Sequence, residues 1–98
     1  MIAYEVTVVI DEEQAAAFEK YMRDRHIPDV LATGAFERAS FECSEAGRYR
    51  TRYIAADRQS LDEYLRRHAP RLRDDFAAHF SERVQVTREE WIMVEAFA

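Results

Sequence analysis

Ninety-eight residues carry a formal charge of −5 and a 48% hydrophobic share that includes twelve aromatics. That length suits one domain, 1–98. The composition is too apolar for a disordered chain and too acidic for a general binder of nucleic acid or anionic membrane. Cys43 stands alone, so no intrachain disulfide forms, which suits a reducing cytoplasm.

The N-terminus has no basic segment ahead of an apolar run, as a secretory leader would. No apolar stretch approaches the roughly 20 residues that span a bilayer. Ile2 to Ile10 reads as a strand. Ile2, Tyr4, Val6, Val8 and Ile10 alternate with a mixed set, so the even face is expected to meet the core. Asp11-Glu12-Glu13-Gln14 starts a helix, with an N-cap oxygen at Asp11 and Gln14 completing a capping box. Ala15, Phe18, Met22 and Arg25 then fall on one stripe. Pro28 is expected to end this helix, because Ile27 is pushed out of the α region, and to open a short second one that stops at Gly34.

Ala35 to Cys43 and Arg48 to Ala56 read as a hairpin. With Gly47 left-handed in a Glu45-Ala46-Gly47 loop, Cys43 pairs with Tyr49, Phe41 with Thr51 and Ala39 with Tyr53. The other face pairs Glu42 with Arg50, Ser40 with Arg52 and Arg38 with Ile54. A one-residue slip would mix arginines with aromatics. Ser60-Leu61-Asp62-Glu63 is a second capping box. Leu61, Tyr64, Leu65 and His68 form its stripe, Pro70 breaks and restarts the helix, and Leu72, Phe76 and Phe80 continue it. Val84 to Phe97 is the last strand. Its parity changes between Val84/Val86 and Trp91/Met93, which a bulge near Arg88-Glu89-Glu90 would reconcile.

The order β-α-β-β-α-β is the ferredoxin-like α+β arrangement, an antiparallel sheet with helices on one face. Arg25-His26-Ile27-Pro28 and Arg67-His68-Ala69-Pro70 echo each other across the two halves. The uncovered face is expected to carry Glu5, Thr7, Val9, Phe36, Arg38, Ser40, Glu42, Arg50, Arg52 and Ile54. That mixture suits a covered surface, and a second copy packed face to face is the expected cover, giving a homodimer.

Tyr4 to Val8, His26 to Gly34, and His68-Ala69-Pro70-Arg71-Leu72-Arg73 together resemble a small bacterial family of uncharacterised proteins, similar to the dimeric α+β barrel group. The resemblance implies the fold and the dimer. The wider group includes cofactor-independent monooxygenases, muconolactone-type isomerases, haem-degrading enzymes and stress-induced domains. It implies a pocket between the open sheet face and the turn after the first helix. An Asn–His–Trp set serves haem degradation there, and this chain contains no asparagine.

His26 has two readings: a general acid, base or ligand donor at the pocket mouth, favoured as a cation by the helix C-terminus, or a helix cap on a backbone carbonyl. His68 reads as a buried structural residue and His79 as a helix flank. No paired histidines or Cys–His set suggests a metal site, and no cofactor is implied. Arg50 and Arg52 suit a carboxylate or phosphate ligand, or simple compensation by Glu42 and Glu5. Trp91 is core or pocket wall; strand parity admits both. Cys43 reads as a small buried hydrophobe. Gly47 to Tyr53 faintly resembles an RNA-recognition strand, but the register turns Tyr49 and Tyr53 inward. The expected function is binding of a small acidic or aromatic molecule, with His26 at its polar centre and Glu5, Arg50, Arg52 and Trp91 as further contacts. The alternatives are a cofactor-independent monooxygenase- or isomerase-like enzyme and a non-catalytic assembly module.

Overall fold

Ile2, Tyr4, Val8 and Ile10 are at most 5% exposed, whereas Val9 between them is 43% exposed. The even parity of the first strand therefore meets the core, as its alternation predicts. The computed structural model describes residues 1–98. Its strands are β1 (Ile2–Ile10), β2 (Arg38–Glu45), β3 (Arg48–Ala55) and β4 (Val84–Ile92). They form one antiparallel sheet in the order β2-β3-β1-β4. The helices lie on one face: α1 (Ala15–Tyr21), α2 (Ile27–Ala32), α3 (Arg58–Arg67) and α4 (Ala69–His79). This is the ferredoxin-like α+β fold. No helix is long and apolar enough to cross a membrane.

The hairpin register matches the sequence reading at all six pairs, from Arg38 with Ile54 to Cys43 with Tyr49. Gly47 has φ +85°, and its carbonyl accepts the Ile10 amide at 2.7 Å. The turn is thereby stitched to the end of β1.

The first helical run differs from expectation. Ile27 stays helical (φ −62°, ψ −46°), so the proline does not end the helix. A π-helical turn over Met22–His26 precedes it, and the Ile27 amide donates to the Met22 carbonyl. Proline lacks an N–H and crowds the carbonyl four residues back. Widening the turn ahead of Pro28 accommodates that ring without leaving the helix. The extra residue also shifts the buried stripe. It runs through Phe18, Tyr21, Met22 and Val30, while Arg25 points outward to Asp75.

Both capping boxes are corrected. Asp11 accepts from the Glu13 amide and starts a 3-10 turn over Glu12–Gln14, but Gln14 donates to the Glu82 carbonyl instead of closing back. The cap of α3 is Asp57, whose extended backbone lets its carboxylate accept the Ser60 amide at 2.8 Å. Ser60 thus lies inside the helix. Pro70 does separate α3 from α4, with His68 as the joint.

Phe36 precedes β2 and is buried against Tyr4, Tyr53 and Tyr64, with ring centroids 6.2, 5.2 and 4.8 Å away. It leaves the open face because aromatic packing under the helices offers more contact than an edge position. Cys43 is exposed, not buried, because β2 runs past the helix layer there. No bulge interrupts β4. Its pairing with β1 is unbroken from Val84 with Ile10 to Ile92 with Ile2, and the strand ends before Met93. Val84, Val86 and Arg88 consequently share the helix-facing side, and Trp91 shares the open one.

Candidate functional site

The core is divided. One cluster gathers Tyr4, Val30, Phe36, Tyr53, Leu61, Tyr64 and Leu72. The other gathers Val8, Phe18, Tyr21, Met22, Tyr49 and Phe80. Val6 and Ile27 pack against both. Val6 is the one even residue of β1 that is not fully buried, because the helix layer does not close above it. A partly open cleft remains there.

Every layer contributes to its walls. The sheet supplies Tyr4, Val6, Val8, Tyr53, Val86 and Arg88; the helical side supplies Met22, His26, Tyr64, Leu72, Arg73 and Phe76. The space open to water-sized bodies is about 40 Å³. That is room for a few waters in this form of the protein, below the usual range for drug-sized ligands.

His26 enters the cleft from the last residue of the π turn. Its ring stacks near Tyr21 at 5.7 Å and meets Phe76 edge-on at 6.1 Å. It caps no carbonyl, and the helix runs on past it. Its Nδ1 is closed off from water and has no hydrogen-bond partner. Burial pushes the imidazole below its ordinary value of 6.5, with Arg88 acting in the same direction against Asp75 and Asp29. The expected helix-end cation is therefore a neutral imidazole near pH 7, because desolvation outweighs nearby carboxylates.

The second unpartnered atom is the Tyr53 hydroxyl, on a residue 2% exposed. Burial holds this phenol far above the usual tyrosine range. These two are the only buried side-chain polar atoms without a partner, and both residues line the cleft. Buried polar groups are nearly always satisfied, so two orphans on one cavity set it apart from the rest of the core.

Two arginines flank them. Arg73 donates to the Tyr4 hydroxyl at 3.0 Å. Arg88 sits opposite Val6 in the sheet. Neither forms an ion pair, whereas Arg25, Arg50, Arg52, Arg58 and Arg83 all do. Burial pushes the Tyr64 phenol up to about 12, with Arg73, Arg88 and Arg71 pulling it back.

The other sequence candidates lie across the sheet. Arg52 pairs with Glu5 at 3.0 Å and Arg50 with Glu42 at 2.9 Å, the compensation that the register allowed. Trp91 pairs with Ala3 and is 52% exposed on the open face, neither core nor a wall of the His26 cleft. His26 and the group Glu5, Arg50, Arg52 and Trp91 are thus on opposite sides of one sheet. A groove of about 320 Å³ does run over the open face past Glu5, Glu42, Arg50 and Glu89. It is the roomier of the two, but Arg50 is already paired with Glu42 there, and the groove leaves no buried polar atom without a partner. His68 is half-buried. His79 holds the Asp75 carbonyl through Nδ1 at 2.8 Å on the helix flank. Tyr49 and Tyr53 are at most 3% exposed and offer no stacking platform to RNA.

Tyr53, Arg73 and Arg88 were not singled out in the sequence. Arg88 carried a signal: it has the parity of Val84 and Val86, so a cation stood on an apolar face. The supposed bulge at that point concealed it.

A family model for a domain of unknown function, DUF4286, matches residues 1–94. The chain belongs to that family. No curated protein matches this chain. Among solved structures, its fold is similar to a dimeric ferredoxin-like protein from an uncultured marine organism (TM-score 0.75, 10% identity, 100% of this chain and 99% of that one). It is also similar to a candidate antibiotic biosynthesis monooxygenase from Deinococcus radiodurans (TM-score 0.70, 15% identity, 100% and 97%). HapK from Hahella chejuensis aligns comparably (TM-score 0.69, 15% identity, 100% and 98%). At such identities the likeness is one of fold.

Proposed function

We propose that this DUF4286 chain is a homodimer in which each subunit binds a small acidic molecule in the cleft beneath its helices. The observation that carries the reading is the pair of buried, partnerless polar atoms, His26 Nδ1 and the Tyr53 hydroxyl, on one mostly apolar cavity. The π turn that delivers His26 supports it, since such turns recur at functional sites. Dimerisation would use the open face. Trp91 and Met93 are 52% and 51% exposed with Ile54 half-buried beside them, and Val9 is 43% exposed farther along the same face. Two solved structures of this fold are described as dimeric. Glu5, Arg50, Arg52 and Trp91 then lie where the second copy docks.

One further observation favours a catalytic version of this reading. In the tautomer that leaves Nδ1 unprotonated, a neutral imidazole can take a proton from a carbon acid or enol bound beside it. The test is native mass spectrometry of the protein as purified, followed by His26→Ala. The expected result is a bound small molecule that the variant loses while remaining dimeric. Equal ligand occupancy in the variant would remove the cleft from its role.

A further inference from the structure

We infer that the cleft is an anion site, shaped for a short-chain monocarboxylate whose headgroup is held by Arg73 and Arg88 at the opening and whose body lies against Val6, Met22 and Phe76. The inference rests on the proposed His26 cleft and names the class of molecule it takes.

Charge placement points this way. The chain is acidic overall, yet Arg73 and Arg88 line the cleft without any carboxylate at ion-pair distance. Both are exposed residues, so their guanidiniums stand at the opening and not in the apolar interior. A guanidinium presents paired donors that match the two oxygens of a carboxylate. The Arg73 contact with the neutral Tyr4 hydroxyl occupies one donor nitrogen and leaves its charge uncompensated. Inside, the wall is apolar apart from His26 and Tyr53. Where the carboxylate carries a further oxygen, as a hydroxy- or oxo-acid does, the buried phenol offers it a donor, and the imidazole offers a donor or an acceptor according to its tautomer. Room decides the size. With about 40 Å³ open to water-sized bodies, a molecule of roughly three to six heavy atoms enters without repacking, whereas an aromatic ring does not.

Propionate and its neutral isostere propionamide test the charge, followed by amide chemical shifts of the full chain at constant ionic strength. Propionate is expected to move resonances around Val6, His26 and Arg88 saturably and to bind at least ten-fold tighter than propionamide. Arg88→Gln should weaken propionate at least five-fold and leave propionamide unmoved; this exposed residue can change without loss of the fold. Benzoate is expected to bind more weakly than propionate. Equal affinity for acid and amide, an unchanged propionate affinity in Arg88→Gln, or no saturable shift at all would overturn the anion assignment. Benzoate binding as tightly as propionate would overturn the size. A neutral molecule that co-purifies and depends on His26 would leave the cleft standing as a binding site while refuting its anion preference.

Discussion

Tyr21 donates its hydroxyl to Asp75 at 2.6 Å, and the same carboxylate takes two bonds from Arg25 at 2.6 and 3.1 Å. This junction ties the π turn to α4 and holds two walls of the cleft at a fixed separation. The partners lower the Asp75 carboxyl below its ordinary range, the Tyr21 bond most and Arg25 with it, against a smaller opposing effect of burial. Asp75→Ala would leave the hydroxyl of a residue only 7% exposed without an acceptor. The expected loss is roughly 1–3 kcal/mol, read from urea unfolding. Asp24→Ala removes a pair that is 80% and 61% exposed, Lys20 with Asp24. Its expected effect is within about 0.5 kcal/mol. Comparable losses in the two variants would show that Asp75 ties nothing together.

The contrast between β1 and the Pro28 segment shows what a sequence can display. Alternation fixed the face of β1, and the Gly47 loop with the separation of aromatics from arginines fixed the hairpin register, because each rule acts between neighbours on one ladder. The π turn depends on a trade between Pro28 and a backbone carbonyl one turn earlier, which local preference for the residue before proline does not contain. Phe36 and Cys43 failed for the complementary reason. Their burial depends on where the helix layer begins and ends, not on strand parity. The site divided in the same way: His26 was visible as chemistry and the hairpin register already turned Tyr53 inward, but Arg88 comes from β4, whose facing had first to be settled by pairing with β1.

Gly47 offers a sharper test of the hairpin. At φ +85° it occupies a region that L side chains rarely adopt, and an added Cβ would run into the Ile10 carbonyl oxygen. Gly47→Ala is expected to cost roughly 1–3 kcal/mol, in thermal or urea unfolding. Gly34, at φ +80°, has open space around its missing Cβ. Gly34→Ala should cost about 1 kcal/mol through its backbone alone. A Gly47 variant no worse than the Gly34 one would contradict the stitched turn.

The proposed dimer face has its own substitution. Trp91→Asp places a charge at the centre of the exposed patch formed with Ile54 and Met93. Its side chain touches nothing in the His26 cleft, so the subunit is expected to stay folded while the dimer weakens by ten-fold or more. Light scattering across a dilution series would show this as a fall in mass. A wild-type chain that is already monomeric at micromolar concentration, or a variant that dimerises equally well, would transfer the interface elsewhere.

The imidazole gives the fold a pH dependence whose sign is fixed by its environment. Burial lowers the His26 pKa in the folded chain below the 6.5 of the free side chain. At pH values above both, the ring is neutral in both states and contributes no slope. As pH falls through 6.5, the unfolded chain takes up a proton that the folded chain refuses. Stability should therefore decline from about pH 6.5 downward and level off below the folded pKa. His26→Phe removes the titrating group and should flatten that part of the profile, leaving only the carboxylate losses at lower pH. The ring carbon resonances of His26 should titrate below 6.5. A His26 that titrates at or above 6.5 would mean that water reaches Nδ1, and the cleft would then be an open surface notch and not a binding cavity.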